Sequence, residues 1–332
     1  MKSRIRQILA AAAAGTAALA LSACAPASSG ETLTIGLTYT PNVQFAPIYV
    51  AEELGYFDEA GIDVELRHHG ESESLFGALQ EGTEQVVYSA GDEILQGAAG
   101  GVPVTAVGTL YTEYPAVLIV PEDSPIRSAA DLEGHSVGLP GPYGETWFAL
   151  QALMSDADLD ETKVDVQHIG YTQQAALTNG KVDAVMGFSN NDAVQFAAAD
   201  FPVRTIAAVD TAAPQLVGPA LGAANSVIEA RPEDVTKVIE AVRRGVEYTL
   251  ENPEKAVEIT ANYVPTLSTD EAREAALATL KATNELMQPV DGQALLTNDD
   301  ATWARMCEFM PEAQLVEGKV DCESTYTNEL LP

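Results

Sequence analysis

Hydrophobic and polar residues alternate in short runs along the chain after residue 31. In the run 33–37, leucine and isoleucine alternate with small or polar residues, which predicts a buried strand. Pro41 and Asn42 interrupt this strand. Pro47 fits the first turn of a helix, and Gly55 ends that helix about two turns later. We therefore expect a strand, a tight turn and a helix.

The alternation of strands and helices continues as far as residue 223. The pattern predicts further strands at 61–66, 85–90, 102–110, 116–121, 136–139, 164–169, 182–188 and 214–223. It predicts helices at 72–82, 91–99, 141–156 and 172–179, with a short helical turn at 128–134. Beyond residue 225 the helices 232–251, 253–263 and 269–287 follow. This order is typical of an α/β fold with mostly parallel sheets.

A weak internal repeat relates residues 69–92 to residues 168–192. Each segment reads as a strand, a helix that ends at a glycine (Gly82 or Gly180), and a strand with a polar tip. The repeat favours two similar α/β lobes. Chance similarity remains an alternative, because all strand–helix–strand units share this pattern.

Polar and aromatic residues cluster at five predicted strand ends, at 39–45, 89–92, 111–114, 141–147 and 188–192. Open α/β sheets hold ligands at the carboxyl ends of their strands. A single cluster is more typical of a hydrogen-bonded loop. Five clusters at corresponding places favour a binding cleft between two lobes.

The N-terminus has the features of a targeting segment. Lys2, Arg4 and Arg6 precede an apolar run at 8–20 that is too short to span a membrane comfortably. The tetrapeptide 21–24, Leu-Ser-Ala-Cys, matches the bacterial lipobox. We expect a lipoprotein signal peptide at 1–23, lipid attachment at Cys24, a flexible tether at 24–30 and an extracytoplasmic, membrane-anchored protein. A plain signal peptide with a chance cysteine is the alternative.

Composition and the remaining cysteines narrow the picture further. The 332-residue chain has room for two domains after its targeting segment. Its formal net charge of −32 excludes nucleic-acid binding as a function, since phosphate contacts need clustered Lys and Arg. Cys307 and Cys322 are expected to form a disulfide that fastens the C-terminal tail in an oxidising compartment. A metal site is the weaker alternative, because no Cys-x-x-Cys is present.

Several of these segments resemble one protein family. The residues are Pro-Asn at 41–42, Ile-Tyr-Val-Ala at 48–51 and Glu-Leu-Gly-Tyr-Phe-Asp-Glu-Ala-Gly-Ile-Asp-Val at 53–64. Together with the lipobox they resemble the periplasmic substrate-binding proteins of ABC importers. Within that group they resemble the branch related to thiamine-pyrimidine-precursor binding and to the fungal pyrimidine synthase. Pro-Gly-Pro-Tyr-Gly-Glu at 140–145 and Asn-Asn at 190–191 narrow the resemblance toward the heteroaromatic binders. Nitrate, sulfonate and taurine binders are more distant relatives.

The resemblance implies a two-lobed type II periplasmic binding protein fold. Lobe 1 would take residues 31–117 plus 218–332, and lobe 2 would take 118–217. Two hinge strands would lie near 116–121 and 215–223. The lobes would close on a ligand, and the closed monomer would meet a membrane permease and its ATPase. The resemblance implies no enzymatic activity and no cofactor.

The ligand class follows from the turn at 39–45. Thiamine-precursor binders carry a Trp and a His where this chain has Tyr39 and the pair Gln44-Phe45. The segment 41–47 also resembles the riboflavin-importer relatives. We expect a small heteroaromatic ligand, either a pyrimidine or a flavin. A sulfonate-type anion is an alternative, although none of the five clusters contains Lys or Arg. A pyrimidine-synthase-like enzyme is another, although that enzyme's Cys-rich motif is absent from the sequence. An adhesive lipoprotein would not need the five clusters.

Chemistry and resemblance together assign the site. Tyr39 and Phe45 would flank the ring, and Glu145 would accept a hydrogen bond from an amino or imino group. Core packing is the alternative role for Trp147 and Phe188, and a favourable first-turn charge is the alternative role for Glu145. The expected ligand-binding residues are Tyr39, Asn42, Gln44, Phe45, Ser89, Asp92, Tyr111, Tyr143, Gly144, Glu145, Trp147, Phe188, Asn190 and Asn191.

Overall fold

The computed structural model describes residues 32–70, 73–290, 292–316 and 320–332. The predicted signal peptide, Cys24 and the tether lie outside these residues. Two five-stranded sheets form the frame of the described part, and helices cover both.

The first sheet has the strand order β2-β1-β3-β10-β4. Its strands are β1 (Leu33–Leu37), β2 (Val64–His68), β3 (Val86–Ala90), β4 (Val104–Thr109) and β10 (Pro219–Ala224). β1 pairs in parallel with β2 and β3, whereas β10 lies antiparallel between β3 and β4. Four strands therefore run in one direction and one runs against them.

The second sheet repeats this arrangement in the order β7-β6-β8-β5-β9. Its strands are β5 (Ala116–Pro121), β6 (Ser136–Leu139), β7 (Asp165–His168), β8 (Ala184–Phe188) and β9 (Val203–Ala207). β5 is the antiparallel strand here, between β8 and β9. The same order in both sheets confirms the internal repeat.

The helices follow the strands closely along the chain. They are α1 (Ala46–Glu53), α2 (Tyr56–Ala60), α3 (Gly77–Gln80), α4 (Gly91–Ala99), α5 (Gly144–Asp156), α6 (Gln173–Thr178), α7 (Asp192–Ala198), α8 (Asn225–Ala230), α9 (Pro232–Glu251), α10 (Pro253–Thr260), α11 (Asp270–Leu286), α12 (Asp300–Glu312) and α13 (Cys322–Thr325). Single 3₁₀ turns occupy Val43–Phe45 and Ala129–Leu132. None of the described helices is long and apolar enough to cross a membrane.

The opening strand, turn and helix form as predicted. Asn42 caps the 3₁₀ turn by accepting a hydrogen bond from the backbone N–H of Gln44 at 3.0 Å. Pro47 lies in the first turn of α1, where its missing N–H leaves no hydrogen bond unmade. Gly55 follows α1 with a φ of 72°, a left-handed conformation that ends the helix at little cost.

Each sheet has a hydrophobic core, and α5 connects the two. Leu150 and Met154 of α5 pack on the second sheet. Phe148 of the same helix packs beside Trp303 of α12 in a cluster that also contains residues of the first sheet. This placement holds the two sheets together, because one helix buries side chains against both.

The chain passes between the sheets twice, through residues 110–115 and 208–218. The predicted hinge strands, 116–121 and 215–223, largely coincide with β5 and β10. These are the antiparallel strands that come directly after the two connections. The predicted lobe boundaries stay a prediction.

Two sequence-based expectations differ from the structure, and some elements were not expected. The strand expected from residue 214 begins only at Pro219, because residues 208–218 connect the sheets. The helix expected at 72–82 is confined to Gly77–Gln80 within the described residues. The sequence analysis did not predict α2, β9, α12 or α13. β9 is an edge strand whose residues are half-buried or exposed, so it lacks the apolar alternation of an inner strand.

The structure forms the expected disulfide between Cys307 of α12 and Cys322 at the start of α13, with their Cα atoms 5.9 Å apart. The bond fastens the C-terminal residues against the first sheet, where Tyr326 forms a bridge with Ala106 of β4. Tyr326 also stacks on the ring of Trp303, at a centroid distance of 4.9 Å.

Candidate functional site

The carboxyl ends of the parallel inner strands β1 and β3 face those of β6 and β8, and we call the space between them the cleft. Three contacts connect its sides. Tyr39, after β1, contacts the ring of Tyr171, after β7. The hydroxyl of Tyr114 contacts both α4 and α5. Asn190, after β8, donates a hydrogen bond to Thr283 of α11 at 2.9 Å.

Aromatic and phenolic side chains form the side of the cleft that belongs to the first sheet. Phe45 meets the ring of Tyr88 edge-on at a centroid distance of 5.0 Å. Burial raises the pKa of Tyr111 to about 12, and the side chains of Tyr88, Thr283 and Gln44 lie beside its hydroxyl. Burial also raises the pKa of Tyr88 well above its usual value. Both phenols are therefore neutral hydrogen-bonding groups at physiological pH.

Carboxyl groups gather where α4 and α5 begin. We call Asp92, Glu93 and Glu145 the acidic cluster. Asp92 is fully buried, and its Oδ2 lies 2.7 Å from the hydroxyl of Tyr114. Glu93 accepts hydrogen bonds from the backbone N–H of Ala90 and the hydroxyl of Ser89, both at 3.1 Å.

Burial is the main reason why the pKa values of all three carboxyl groups are raised. For Asp92 the charge of Glu93 adds to the effect, and for Glu145 the charges of Asp92 and Glu93 add to it. Among the described residues, the ion pairs of Lys, Arg and His all lie elsewhere. Within the described part of the chain, no ion pair with a basic side chain therefore balances the charge of the acidic cluster.

Three buried polar atoms around the cleft have no hydrogen-bond partner among the described residues. They are the hydroxyl oxygen of Tyr88, Oε1 of Glu145 and Oδ1 of Asn190. Glu145 lies close enough for its charge to raise the pKa values of Tyr88 and Tyr111. The side chain of Thr283 lies beside the hydroxyl of Tyr111 and accepts the hydrogen bond from Asn190. The three unpartnered atoms therefore lie near one another. Because buried polar groups are nearly always paired, these three atoms mark a place that a ligand can complete.

Two tyrosines form the outer margin of the cleft. Tyr39 and Tyr171 are 42% and 60% exposed, and their ring centroids are 6.4 Å apart at a tilt of 55°. Tyr143 is also exposed, at the start of α5. The expected flanking pair, Tyr39 and Phe45, is divided in the structure. Phe45 is only 5% exposed and packs against Tyr49, His68 and Tyr88.

Other expected site residues have roles within the protein itself. Asn42 caps the first 3₁₀ turn, and Asn191 accepts a hydrogen bond from Gln195 at 2.8 Å. Trp147 and Phe188 pack against the cores, which agrees with the alternative considered for both. Gly144 has a φ of 71°, which suits a glycine at the start of α5.

The structure adds residues that the sequence did not single out. Tyr88 directly precedes the predicted cluster 89–92, and Tyr114 ends the cluster 111–114, so proximity to a strand end was an available signal. Thr283 lies in the last turn of α11, and Tyr171 follows an edge strand. Only the folded arrangement brings these last two residues to the cleft.

Neither of two surface cavities in the described part belongs to this site. One, of about 420 Å³, lies beside Lys163 and Asp165. The other, of about 540 Å³, lies beside Thr34 and Arg231. Among the described residues, no group of three or more His, Cys, Asp or Glu side chains is arranged to hold a metal ion.

Comparison with known proteins identifies the family. A sequence model described as "NMT1/THI5 like" matches residues 42–256. The chain belongs to the NMT1/THI5-like family. It is 31% identical over 313 residues to the riboflavin-binding protein RibY of Chloroflexus aurantiacus, with 91% of this chain and 86% of that protein covered.

Two further relatives carry names from pyrimidine chemistry. A 4-amino-5-hydroxymethyl-2-methylpyrimidine phosphate synthase of Legionella pneumophila is 26% identical, with 90% of this chain and 92% of that protein covered. A formylaminopyrimidine-binding protein of Halalkalibacterium halodurans is 25% identical, with 69% of each chain covered. The family thus includes proteins named as binders and proteins named as enzymes.

A solved structure confirms the predicted fold of this NMT1/THI5-like chain. The periplasmic aliphatic sulphonate binding protein SsuA of Escherichia coli matches with a TM-score of 0.72 and 18% sequence identity, over 90% of this chain and 92% of that chain. The chain therefore has the α/β periplasmic binding protein fold.

Proposed function

We propose that this protein is the extracytoplasmic solute-binding lipoprotein of an ABC importer and that it binds a small heteroaromatic molecule in the cleft. The observation that carries the proposal is the set of three unpartnered buried polar atoms, on Tyr88, Glu145 and Asn190. Leaving such atoms unpaired costs free energy, which a ligand would recover by supplying hydrogen bonds.

These atoms specify the chemistry of the ligand. The free Oδ1 of Asn190 accepts a hydrogen bond, so the ligand needs an N–H or O–H donor. The carboxyl of Glu145, whose pKa burial raises well above its usual range, accepts when ionised and can also donate when protonated. Tyr88 and Tyr111 add hydroxyl groups and apolar ring surface. A flat ring system with amino, imino or hydroxyl groups on its edge satisfies these requirements.

Two ring systems meet these requirements, and we rank them by the similarity of this chain to relatives named for each ligand. Riboflavin is our first candidate, because RibY is similar over 91% of this chain. A pyrimidine precursor of thiamine is the second, because the formylaminopyrimidine-binding protein is similar over a shorter part. A sulfonate is disfavoured, because none of the five polar clusters contains a Lys or Arg to balance its negative charge.

An enzyme of the pyrimidine synthase type is the alternative function, and it rests on the name of the Legionella relative. It differs from the proposal in one measurable way, because an enzyme transforms its ligand whereas a binder releases it unchanged.

A thermal-shift and calorimetric screen of the purified protein tests the ligand class. The panel holds riboflavin, formylaminopyrimidine, hydroxymethylpyrimidine, thiamine, taurine and an aliphatic sulfonate. We expect one heteroaromatic compound to raise the melting temperature, since a ligand that binds only the folded state stabilises it. Stabilisation by sulfonates alone would overturn the proposal. Mass spectrometry of the recovered ligand separates release from transformation.

The lipid anchor needs its own test. We expect the native protein to fractionate with membranes and the Cys24→Ser variant to be released or left unprocessed, because serine cannot form the thioether of a bacterial lipoprotein. Equal membrane association of both proteins would contradict lipidation at Cys24.

A further inference from the structure

The hydroxyl of Tyr114 touches both sides of the cleft. Its oxygen lies 2.7 Å from Oδ2 of Asp92, at the start of α4, and 3.0 Å from the backbone carbonyl oxygen of Glu145, at the start of α5. Helix α4 follows β3 of the first sheet, whereas α5 follows β6 of the second. One side chain thus contacts elements of both sheets.

The protons available at this place determine which contacts are hydrogen bonds. A phenol has one hydrogen to donate, and a backbone carbonyl only accepts. An ionised Asp92 also only accepts, so the phenol hydrogen could satisfy only one of its two neighbours. A protonated Asp92 donates from Oδ2 to the oxygen of Tyr114, and Tyr114 then donates to the carbonyl of Glu145. The other oxygen of Asp92, Oδ1, accepts from the N–H of Glu93 at 2.7 Å in either state.

The surroundings also favour a neutral Asp92. Its side chain is fully buried. Glu93 faces it from α4, Tyr114 from the connection between the sheets and Glu145 from α5. The phenols of Tyr88 and Tyr111 are the next titratable groups, and both are neutral. Burial and the charge of Glu93 raise the pKa of Asp92 well above its usual range.

We propose that Tyr114 and a protonated Asp92 form a hydrogen-bonded bridge that holds the two sides of the cleft together. Moving α4 away from α5 breaks the bridge and admits water to Asp92, which then releases its proton. Closure takes up one proton, and the Asp92 carboxylate becomes a carboxylic acid. Tyr114 is a positioning residue in this scheme, because it acts through the arrangement of α4 and α5. The link between closure and ligand affinity rests on the proposed function, whereas the protonation of Asp92 does not.

Infrared spectroscopy of the purified protein without ligand tests the protonation at neutral pH. We expect the native-minus-Asp92→Asn difference spectrum to show the carbonyl band of one protonated carboxyl group. The matched control is Glu113→Gln, at an exposed neighbour of Tyr114, whose difference spectrum is expected to show an ionised carboxylate. Carboxylate bands in the Asp92→Asn difference spectrum would overturn the bridge.

Ligand affinity measured against pH tests the coupling to closure. For the native protein we expect affinity to be constant while the ligand-free protein keeps its proton on Asp92. Above the pH at which the ligand-free cleft opens and Asp92 ionises, affinity should fall by at most about tenfold per pH unit, because binding then takes up one proton. Asp92→Asn should remove this dependence, since its amide donates to Tyr114 at every pH. Tyr114→Phe should weaken binding about fivefold at low pH and also remove the dependence. The same pH slope in native protein and Asp92→Asn would overturn the coupling. If no ligand in the panel binds, the proposed function fails and the infrared result still decides the bridge.

Discussion

Gly36 of β1 and Gly138 of β6 occupy equivalent places in the two sheets, because β1 pairs with β2 and β3 as β6 pairs with β7 and β8. A Cβ at either position would collide with a neighbouring side chain. At Gly36 that neighbour is the carboxylate of Glu84, and at Gly138 it is the side chain of Ile169, with Val182 next to it. The same backbone is thus covered by an acid in one sheet and by two aliphatic residues in the other.

The Glu84 carboxylate that lies over Gly36 is part of a network of polar side chains. Nε2 of His69 lies 3.0 Å from both carboxylate oxygens of Glu84, and Arg67 contacts the same group from β2. The pairing register makes His69 equivalent to Ile169 and Glu84 equivalent to Val182. This fold thus accepts either solution, because the space is filled in both sheets and the buried carboxylate of Glu84 is paired. Nδ1 of His69 has no hydrogen-bond partner among the described residues.

The largest effect is expected from removing the Glu84 carboxylate while its partner His69 stays in place. Glu84→Val leaves His69 buried without its carboxylate partner, and we expect the free energy of unfolding to fall by about 3 kcal/mol. Denaturant unfolding measures the loss. A change below about 0.5 kcal/mol, typical of surface substitutions, would show that the network contributes little.

Replacing both His69 and Glu84 by their aliphatic counterparts from the second sheet should restore most of the lost stability. The double variant His69→Ile, Glu84→Val reproduces the pair Ile169 and Val182, and Arg67 retains its ion pair with Glu73. We expect its stability to return to within about 1.5 kcal/mol of the native protein, because apolar replacements of a buried pair are often neutral. A double variant no more stable than Glu84→Val would show that the two covers are not interchangeable.

The two sides of the cleft also differ in their unpartnered atoms, since the first side supplies the phenol of Tyr88 and the second the carboxyl of Glu145 and the amide of Asn190. If the second side determines ligand orientation, Glu145→Ala should weaken binding about thirtyfold, the equivalent of about 2 kcal/mol for a hydrogen bond to an ionisable group. Calorimetry with the ligand from the screen measures the change. Glu161→Ala, at an exposed position on the same side, is the matched control. Equal affinities of both variants would remove Glu145 from the site.

The acidic cluster should make stability depend on pH. Its raised pKa values mean that the folded protein keeps protons that the unfolded chain releases above about pH 4. Unfolding therefore releases protons, and the free energy of unfolding should fall as the pH rises from 5 to 8. Denaturant unfolding at several pH values checks the sign. Asp92→Asn should show a shallower fall, and an unchanged slope would mean that Asp92 is not one of the groups responsible.

The smallest effect is expected at the outer margin. Tyr171→Ala removes the ring contact with Tyr39, and we expect ligand dissociation to accelerate about threefold, in line with the modest energy of an aromatic pair. Stopped-flow kinetics measure the rate, and ligand should dissociate more slowly from Tyr171→Phe, which keeps the ring, than from Tyr171→Ala. Equal rates for Tyr171→Ala and Tyr171→Phe would exclude a role for the ring pair.

The elements that the sequence predicted well depend on neighbours in the chain. The run 33–37 alternates because one face of β1 is buried, and Asn42, Pro47 and Gly55 act on the backbone within a few residues. The clusters 89–92 and 141–147 were recognisable because they follow strands. β9 was not predicted, because this edge strand lacks the alternation of buried apolar and exposed polar residues that marks an inner strand.

By itself, the sequence determined the fold class, the internal repeat, the disulfide pair and the strand ends around which the cleft forms. These features follow from local periodicity and from residue types whose backbone or chemical preferences are strong. Only the tertiary structure decided that Thr283 reaches Asn190, that Tyr171 meets Tyr39, and that one hydroxyl connects α4 to α5. Such contacts join residues far apart in the chain. No local pattern encodes them, because they depend on how two separately patterned sheets pack together.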